Sequence, residues 1–149
     1  MKVAIGSDHA GFALKGELCT LLDELRVEYH DFGTYSTDVV DYPDFVAPAA
    51  RAVARGDYEL GIVLGGSGTG EAIVANKVRG IRCVQATNPV VARLAREHND
   101  ANVIAFGARI ICTEVAKACL REFLTSEFQG GRHVARLEKI SRIEAQEGS

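Results

Sequence analysis

The sequence predicts an α/β protein with a Rossmann-like, doubly wound parallel sheet of five strands, helices on both faces and an extended C-terminal helix. Two observations lead to this prediction. Short, continuous apolar runs alternate with helical patterns along the chain, which is typical of a parallel sheet covered on both faces. No repeat, linker or low-complexity tract interrupts that alternation. The 149 residues therefore suit a single domain, 1–149, with one core.

In the first half of the chain each predicted strand is followed by a helix. The strands are residues 3–6, 27–32 and 61–64, and the helices are residues 12–25, 43–55 and 71–77. Leucines at helical spacing indicate the first helix, and alanines dominate the second. Gly33 ends the second strand, and a polar loop over 33–41 follows it.

The second half continues the same alternation. The strands are residues 81–85 and 103–106, and helices begin at Pro89 and near Thr113, because proline suits a first helical turn. The first of these helices ends near His98, and the second ends near Leu124. A more charged helix runs from Gly131 to the end of the chain. Right-handed crossovers then favour a doubly wound sheet in which strands one and three are neighbours at the switch point.

Composition excludes several classes of protein. A net charge of −3 argues against nucleic acid as the main partner, because a phosphate backbone needs a basic surface. No apolar run is long enough for a signal peptide or a membrane span. The four cysteines lack C-x-x-C spacing and lie in apolar runs, so we expect buried thiols, no metal site and a cytoplasmic location.

A glycine-rich loop over residues 65–70 follows the third strand, at the carboxyl edge where open α/β sheets bind ligands. Four glycines in six residues exceed the needs of a tight turn, which favours a binding role over a purely structural one. A P-loop is excluded because Glu71 and Ala72 replace its Lys-Ser/Thr pair. A dinucleotide fingerprint is excluded because Glu71 occupies its third glycine position.

Glu71 is the carboxylate of this loop. In a first helical turn it is either a partner of the helix dipole or, beside a glycine cradle, a general base for a carbon acid. Ser67 either caps the helix or donates a hydrogen bond where negative charge develops on an oxygen. Asp8 and His9 follow the first strand and so face the same edge of the sheet.

Cationic residues elsewhere suit an anionic substrate. His98 at a helix end is either a dipole-stabilised surface residue or a catalytic one. Arg132 and Arg136 share a helix face. They are either solvated surface charges or, together with Arg109 and His9, the cations that a phosphate monoester needs.

Six motifs in order resemble the ribose/galactose isomerase family, in its ribose-5-phosphate isomerase type B members. The resemblance spans essentially the whole chain, and it rests on Gly6-Ser7-Asp8-His9-Ala10-Gly11-Phe12, Asp41-Tyr42-Pro43-Asp44, Gly66-Ser67-Gly68-Thr69-Gly70-Glu71, Ala75-Asn76-Lys77, Arg96-Glu97-His98-Asn99-Asp100-Ala101-Asn102 and Gly130-Gly131-Arg132-His133.

This resemblance implies metal-free interconversion of ribose 5-phosphate and ribulose 5-phosphate through a cis-enediol, without a cofactor. It implies that Asp8 and His9 hold the sugar, and that Gly66, Ser67, Gly68, Thr69 and Gly70 cradle the enediol oxygens. His98 would act as an acid in ring opening with Asn99 alongside it, and Arg109, Arg132 and Arg136 would bind the phosphate.

One departure from the family pattern concerns the base. Many members have a cysteine base where this chain has Gly65, and an aliphatic residue where it has Glu71. The chain resembles the branch that uses the glutamate. Allose 6-phosphate, galactose 6-phosphate and tetrose phosphates are alternative substrates, and a flavodoxin-like nucleotide-binding module is the alternative from another class.

The predicted topology also bears on assembly. Helices in a doubly wound sheet run antiparallel to the strands, so the helix of roughly ten residues from Pro89, about 15 Å long, carries His98 and Asn99 away from Asp8 and Glu71. If all four residues serve one substrate, a second subunit brings His98 and Asn99, and a two-fold homodimer forms two such sites. The sequence does not distinguish a dimer from a tetramer. It also leaves open whether Arg132 and Arg136 act in the site of their own chain or in that of the partner.

Overall fold

A computed structural model describes residues 1–148, and it contains a five-stranded parallel sheet with the strand order β2-β1-β3-β5-β4. The fold class predicted from the sequence is confirmed. The strands are β1 (Lys2–Ser7), β2 (Glu28–Asp31), β3 (Leu60–Gly65), β4 (Cys83–Gln85) and β5 (Val103–Gly107). The helices are α1 (Phe12–Glu24), α2 (Pro43–Ala54), α3 (Thr69–Lys77), α4 (Pro89–Asn99), α5 (Thr113–Thr125) and α6 (Arg132–Glu147).

The switch point lies between β1 and β3, as predicted. Ile5 pairs with Ile62 across it, and Ile62 pairs with Ile104 of β5. The chain leaves β1 in one direction to form β2 and returns in the other to form β3, so the loops after β1 and β3 diverge and leave a crevice. Asp8, Ser67 and Glu71 lie in this crevice.

Helices cover both faces of the sheet and form two apolar clusters. One cluster joins α1, α4 and α5 to side chains such as Ile5, Leu64 and Phe106. The other joins α2 and α3 to the small side chains Ala4 and Ala105 and to Val63. Burying each large aliphatic or aromatic side chain contributes about 2 kcal/mol, so these two clusters fix the sheet that carries the crevice.

Two elements begin two residues away from their predicted starts. Helix α3 begins at Thr69 rather than Glu71, because Gly68 takes the left-handed conformation (φ +81°) and serves as its N-cap. Strand β4 begins at Cys83 rather than Ile81. The N–H of Ile81 closes a turn on the carbonyl of Val78, and the N–H of Arg82 donates to the side chain of Asn102.

Helix α6 extends along one side of the molecule and is mostly exposed. Its carboxyl-terminal half is held by Glu144, which accepts a hydrogen bond from the N–H of Gly80 at 3.0 Å. The apolar side chains Val134, Ile140 and Ile143 remain exposed on it. Within residues 1–148, no helix has both the length and the apolarity that crossing a bilayer requires.

Candidate active site

A cleft of about 420 Å³ opens at the carboxyl edge of the sheet, between the loops that follow β1 and β3. It is lined by Asp8, His9, Ala10, Tyr42, Gly66, Ser67, Thr69, Gly70, Glu71, Arg109 and Ile110. The sequence predicted that the residues after these two strands would meet there, and the structure brings Asp8, His9, Ser67, Glu71 and Arg109 together.

The loop after β1 is held in place by its own backbone. The N–H of Asp8 donates to the carbonyl of Leu64 in β3, and Oδ1 of Asp8 accepts the N–H of Gly11 at 3.1 Å, just before α1. Asp8 is 6% exposed. His9 accepts a hydrogen bond at Nδ1 from the N–H of Val40, at 3.1 Å.

The glycine loop lies against β5, and this close approach is possible because glycines have no side chain. A Cβ atom on Gly107 would stand 2.3 Å from the carbonyl oxygen of Ser67. That oxygen accepts a hydrogen bond from Nε2 of Gln85 at 2.6 Å, on the side of β4. The N–H groups of Ala108 and Arg109 donate to the carbonyls of Gly65 and Gly66. The loop is therefore fixed from the side of β4 and β5.

Glu71 lies at the third position of α3 and is 3% exposed. Its carboxylate occupies the space above Gly65, where a Cβ atom would stand 1.8 Å from Oε1. Burial raises its pKa above the ordinary value of 4.5, and the charge of Asp8 adds to this. Hydrogen bonds from the backbone N–H groups of Glu71 itself and Gly68 lower the pKa but do not cancel the effect of burial. Oε2 has no hydrogen-bond partner within residues 1–148.

Ser67 is not the N-cap of α3, which was one of its two predicted roles, because Gly68 holds that position. Its hydroxyl oxygen instead lies 2.7 Å from the hydroxyl of Thr69 and accepts the N–H of Thr69 at 3.3 Å. Both hydroxyl groups line the cleft. The other predicted role, a hydrogen-bond donor to a substrate oxygen, remains a prediction.

Arg109 places a guanidinium group in the cleft. Its Nη1 atom lies 2.9 Å from the point where a Cβ atom on Gly66 would stand, so the side chain rests against this glycine. Tyr42 rests in the same way on Gly70, with 2.6 Å between its Cζ atom and a Cβ at that glycine. Sequence reasoning missed Tyr42 as a cleft residue. The available signal was Pro43, which starts α2 and thereby places Tyr42 at the carboxyl edge.

His98, Asn99, Arg132 and Arg136 do not line this cleft. The carbonyl of Asn99 accepts a hydrogen bond from Nε of Arg82 at 2.8 Å, and Arg82 directly precedes β4. The end of α4 therefore lies at the amino edge of the sheet, as the topology predicted.

A second cluster of residues forms at the end of α4. The imidazole rings of His98 and His133 stack at 4.3 Å with an interplanar angle of 18°. Burial lowers the pKa of His133, and the charges of His98, Arg132 and Arg136 lower it further. Two hydrogen bonds from Gln129 to Glu97 hold the start of α6 against α4. Sequence reasoning missed His133 as part of this group, although it follows Arg132 directly.

The cysteines depart from the prediction at one position. Cys83 and Cys119 are buried and Cys19 is half-buried, but Cys112 is exposed because it caps α5 in the turn after β5. Burial and the charge of Glu71 raise the pKa of Cys83 to about 12, so it stays a thiol. None of the four lines the cleft, and no cluster of three or more His, Cys, Asp or Glu side chains in residues 1–148 is arranged to hold a metal ion.

The chain is similar to known proteins over nearly its whole length. The model of the family described as ribose/galactose isomerase matches residues 3–140. A putative sugar phosphate isomerase of Bacillus subtilis, YwlF, is 46% identical over 145 residues, which are 97% of each chain. The ribose-5-phosphate isomerase B of Escherichia coli is 46% identical over 143 residues, or 96% of each chain.

Solved structures give the same result. The ribose-5-phosphate isomerase B of Clostridium thermocellum superposes with a TM-score of 0.96 at 47% identity, covering 98% of this chain and 99% of that one. A ribose-5-phosphate isomerase B of Mycoplasma genitalium, with bound ribulose-5-phosphate, superposes with a TM-score of 0.92 at 35% identity, covering 97% and 96%.

Proposed function

The chain belongs to the ribose/galactose isomerase family, and from that premise we propose that it interconverts ribose 5-phosphate and ribulose 5-phosphate through a cis-enediol. It is an aldose–ketose isomerase, as are relatives that match it over nearly their whole length. The match over residues 3–140 also supports one sugar-phosphate isomerase domain over 1–149.

The observation that carries the mechanism is the position of Glu71. Its carboxylate is buried at the cleft, above a glycine that leaves room for it, and its pKa is raised. A general base works best when its pKa approaches the operating pH, because it is then ionised and still accepts a proton readily. An ordinary dipole partner in a first helical turn would be exposed. These features favour the base over the dipole partner.

The reaction moves the proton of C2 to C1 and the hydroxyl proton of O2 to O1, and it leaves no net change in oxidation state of the molecule as a whole. Ionised Glu71 takes the proton from C2 of the open-chain aldose, and the electron pair of that bond forms the C1–C2 double bond while the carbonyl oxygen becomes an enediolate. In this proposal the hydroxyl of Ser67 and backbone N–H groups of the glycine loop stabilise that oxygen; Gly66, Ser67, Thr69 and Gly70 of this loop line the cleft. Glu71 then returns the proton to C1, the hydroxyl proton of O2 passes to O1, and O2 becomes the carbonyl of the ketose.

Substrate binding in this proposal combines two sets of residues. Asp8 and His9 bind sugar oxygens at the cleft, and Arg109 supplies positive charge there. A second subunit supplies His98, Asn99, Arg132 and Arg136, and His98 acts in ring opening. These residues do not line the cleft of their own chain, because the end of α4 lies at the opposite edge of the sheet. A homodimer with two shared sites is the simplest assembly that unites them. The four cysteines without disulfides suit the cytoplasm, where we place the protein.

The test is an assay of ketose formation from a panel of aldose phosphates, with free ribose included and a chelator present throughout. We expect ribose 5-phosphate to give the highest kcat/KM and free ribose to be a poor substrate. Glu71→Gln serves as the matched control for contaminating isomerase, because it preserves shape and removes the base. Equal activity on ribose and its phosphate would contradict the role of the cationic residues, and a preference for a six-carbon or four-carbon phosphate would replace the proposed substrate.

A further inference from the structure

The polar loop between β2 and α2 passes over the edge of the cleft and contacts His9. We define the strap as residues 34–42. Most of it is exposed, and Val39 is 85% exposed. Even so, the N–H of Val40 donates to Nδ1 of His9 at 3.1 Å, across 31 positions of sequence. At Val40 the strap therefore contacts His9 through its backbone rather than through a side chain.

Both ends of the strap are fixed. At the first end, Ser7 exchanges two hydrogen bonds with the backbone of residues 33–34, at 2.7 and 2.6 Å, and Nζ of Lys15 donates to the carbonyl of Thr34. Lys15 itself is buried and paired with Asp31 at 2.6 Å. At the second end, Tyr42 rests against Gly70 at the start of α2. A segment held at both ends can present one N–H group at a defined position.

The hydrogen bond from Val40 has a chemical consequence for His9. A ring nitrogen that accepts a backbone N–H carries a lone pair, so it is not protonated. A neutral imidazole with an unprotonated Nδ1 carries its proton on Nε2, and the partner of one ring nitrogen thereby determines the chemistry of the other. In an imidazole ring Nε2 points away from the hydrogen bond that Nδ1 accepts. His9 is then a neutral hydrogen-bond donor, and not the cation that the sequence suggested for it.

We propose that Val40 is a positioning residue: its backbone N–H holds His9 as the neutral Nε2–H tautomer, with that N–H available as a donor to an oxygen of the substrate. The functional part of this inference rests on the proposed function, because it assumes that a sugar phosphate occupies the cleft. The positive charge for the phosphate at this edge then comes from Arg109 alone among the residues of this chain that line the cleft. Val40 thus acts on the site through its backbone N–H, and its side chain has no part in this role.

A spectroscopic experiment tests the hydrogen bond directly and does not require activity. In uniformly ¹⁵N-labelled wild-type protein, we expect a scalar coupling across the hydrogen bond between the amide nitrogen of Val40 and Nδ1 of His9. The long-range ¹H–¹⁵N spectrum of the His9 ring should show a proton on Nε2 only. A His9 ring with its proton on Nδ1, or the absence of the coupling in folded protein, would overturn the proposal even if the enzyme isomerises ribose 5-phosphate normally.

A kinetic experiment tests the positioning role. Val40→Pro removes the donor, and we expect kcat/KM to fall about fivefold, the usual effect of losing one such hydrogen bond. Val39→Pro is the matched control, because it places the same residue in the same strap at an exposed neighbour, and it should leave kcat/KM unchanged. Melting temperatures show whether each variant remains folded.

Substitutions of His9 separate its two ring nitrogens. His9→Gln places an amide donor near the position of Nε2, and His9→Asn places an acceptor near the position of Nδ1, so we expect His9→Gln to retain more activity. In the His9→Gln background Val40→Pro should cost nothing further, because the N–H no longer has Nδ1 to hold. The same fivefold loss in both backgrounds would mean that Val40 acts on the loop and not through His9, and would reject the positioning role.

Discussion

At Glu71, activity and stability have opposite requirements: activity needs the ionised carboxylate, whereas burial favours the neutral acid. Burial over Gly65 disfavours its charged form and raises its pKa, and Asp8 adds to that effect. For an acid with a raised pKa in the folded state, stability is fully present below the pKa of the unfolded state. It is lost as the pH rises through the folded-state pKa. A base that must be ionised to act therefore destabilises the fold at the pH where it acts.

Glu71→Gln is expected to lower kcat/KM by about 10²- to 10⁴-fold, the range for loss of a general base, while the protein becomes more stable at pH 8. The stability difference should shrink as the pH falls towards 4, where both side chains are neutral. Activity assays and thermal unfolding at several pH values measure the two effects. A loss below about tenfold would remove Glu71 from the role of base.

Gly65 is required by the same geometry, because any side chain there overlaps the carboxylate of Glu71. Gly65→Ala should displace that carboxylate and lower kcat/KM at least about tenfold, since a small misplacement of a catalytic group is costly. Gly16→Ala is the matched control: a Cβ at Gly16 in α1 meets no atom within 4 Å. It should keep full activity and gain up to about 1 kcal/mol of stability. Full activity of Gly65→Ala would show that the carboxylate does not need its present position.

The sequence predicted most of the cleft at the level of residues, because strand ends in a parallel sheet meet at one edge. Asp8 and Glu71 follow β1 and β3, and that rule placed them together. Arg109 was named only as a cation for the phosphate, and its place in the same cleft, after β5, comes from the structure. The rule could not place Tyr42 or Val40, which approach from a loop without a periodic pattern. Nor could it show that His133 stacks on His98, because this contact joins two helices whose packing has no signature in either sequence segment.

At the scale of elements, helix α1 and strand β2 are joined by an ion pair between the buried Lys15 and the half-buried Asp31. Lys15 donates to Asp31 at 2.6 Å and to the carbonyl of Thr34, and its Nζ lies 5.5 Å from the ring centre of Phe12 and 5.3 Å from that of Tyr35. Strand β2 is an edge strand that pairs only with β1, so this contact adds to the backbone ladder that attaches it. A buried charge without its partner is costly, which makes the pair sensitive to removal of either member.

Lys15→Met is expected to destabilise the protein by about 2 kcal/mol, because Asp31 and the buried carbonyl of Thr34 lose their donor while the packing volume is kept. Chemical denaturation at a fixed protein concentration measures this change. Lys2→Met is the matched control. Its pair with Glu28 is exposed and 4.0 Å long, so the change should stay below about 0.5 kcal/mol. Equal effects of the two substitutions would mean that the buried pair has no special weight.

Element boundaries and order show what local patterns leave out. The start of α4 at Pro89 and its end at Asn99 agree with the prediction, because proline and the charged last turn mark them. The early start of α3 depends on the backbone conformation of Gly68, which a glycine-rich sequence permits but does not dictate. The place of β4 at the edge, beyond β5, depends on long-range pairing and was not predicted beyond the contact of β1 with β3.

At the scale of the whole molecule, the chemistry-bearing residues form two groups at opposite edges of one sheet. The cleft group contains Asp8 and Glu71, and the second group contains His98 with its neighbours on α4 and α6. Because His133 stacks on His98, and Gln129 bonds to Glu97, the start of α6 is attached to the end of α4. Arg132 should therefore accompany His98 into any shared site, and not the cleft of its own chain.

This arrangement predicts which inactive variants restore one another in a mixed dimer. Glu71→Gln damages the cleft group, and the pair His98→Ala with Asn99→Ala damages the other group. Their co-expression should restore roughly a quarter of wild-type activity, because half of randomly paired dimers are mixed and each has one intact site of two. Arg132→Ala should likewise be restored by Glu71→Gln but not by the His98–Asn99 variant, since both changes then lie in the same group. Differently tagged chains allow the mixed dimers to be isolated and assayed. Mixed dimers that form and stay inactive would exclude the shared site, and restoration of Arg132→Ala by the His98–Asn99 variant would place Arg132 with the cleft instead.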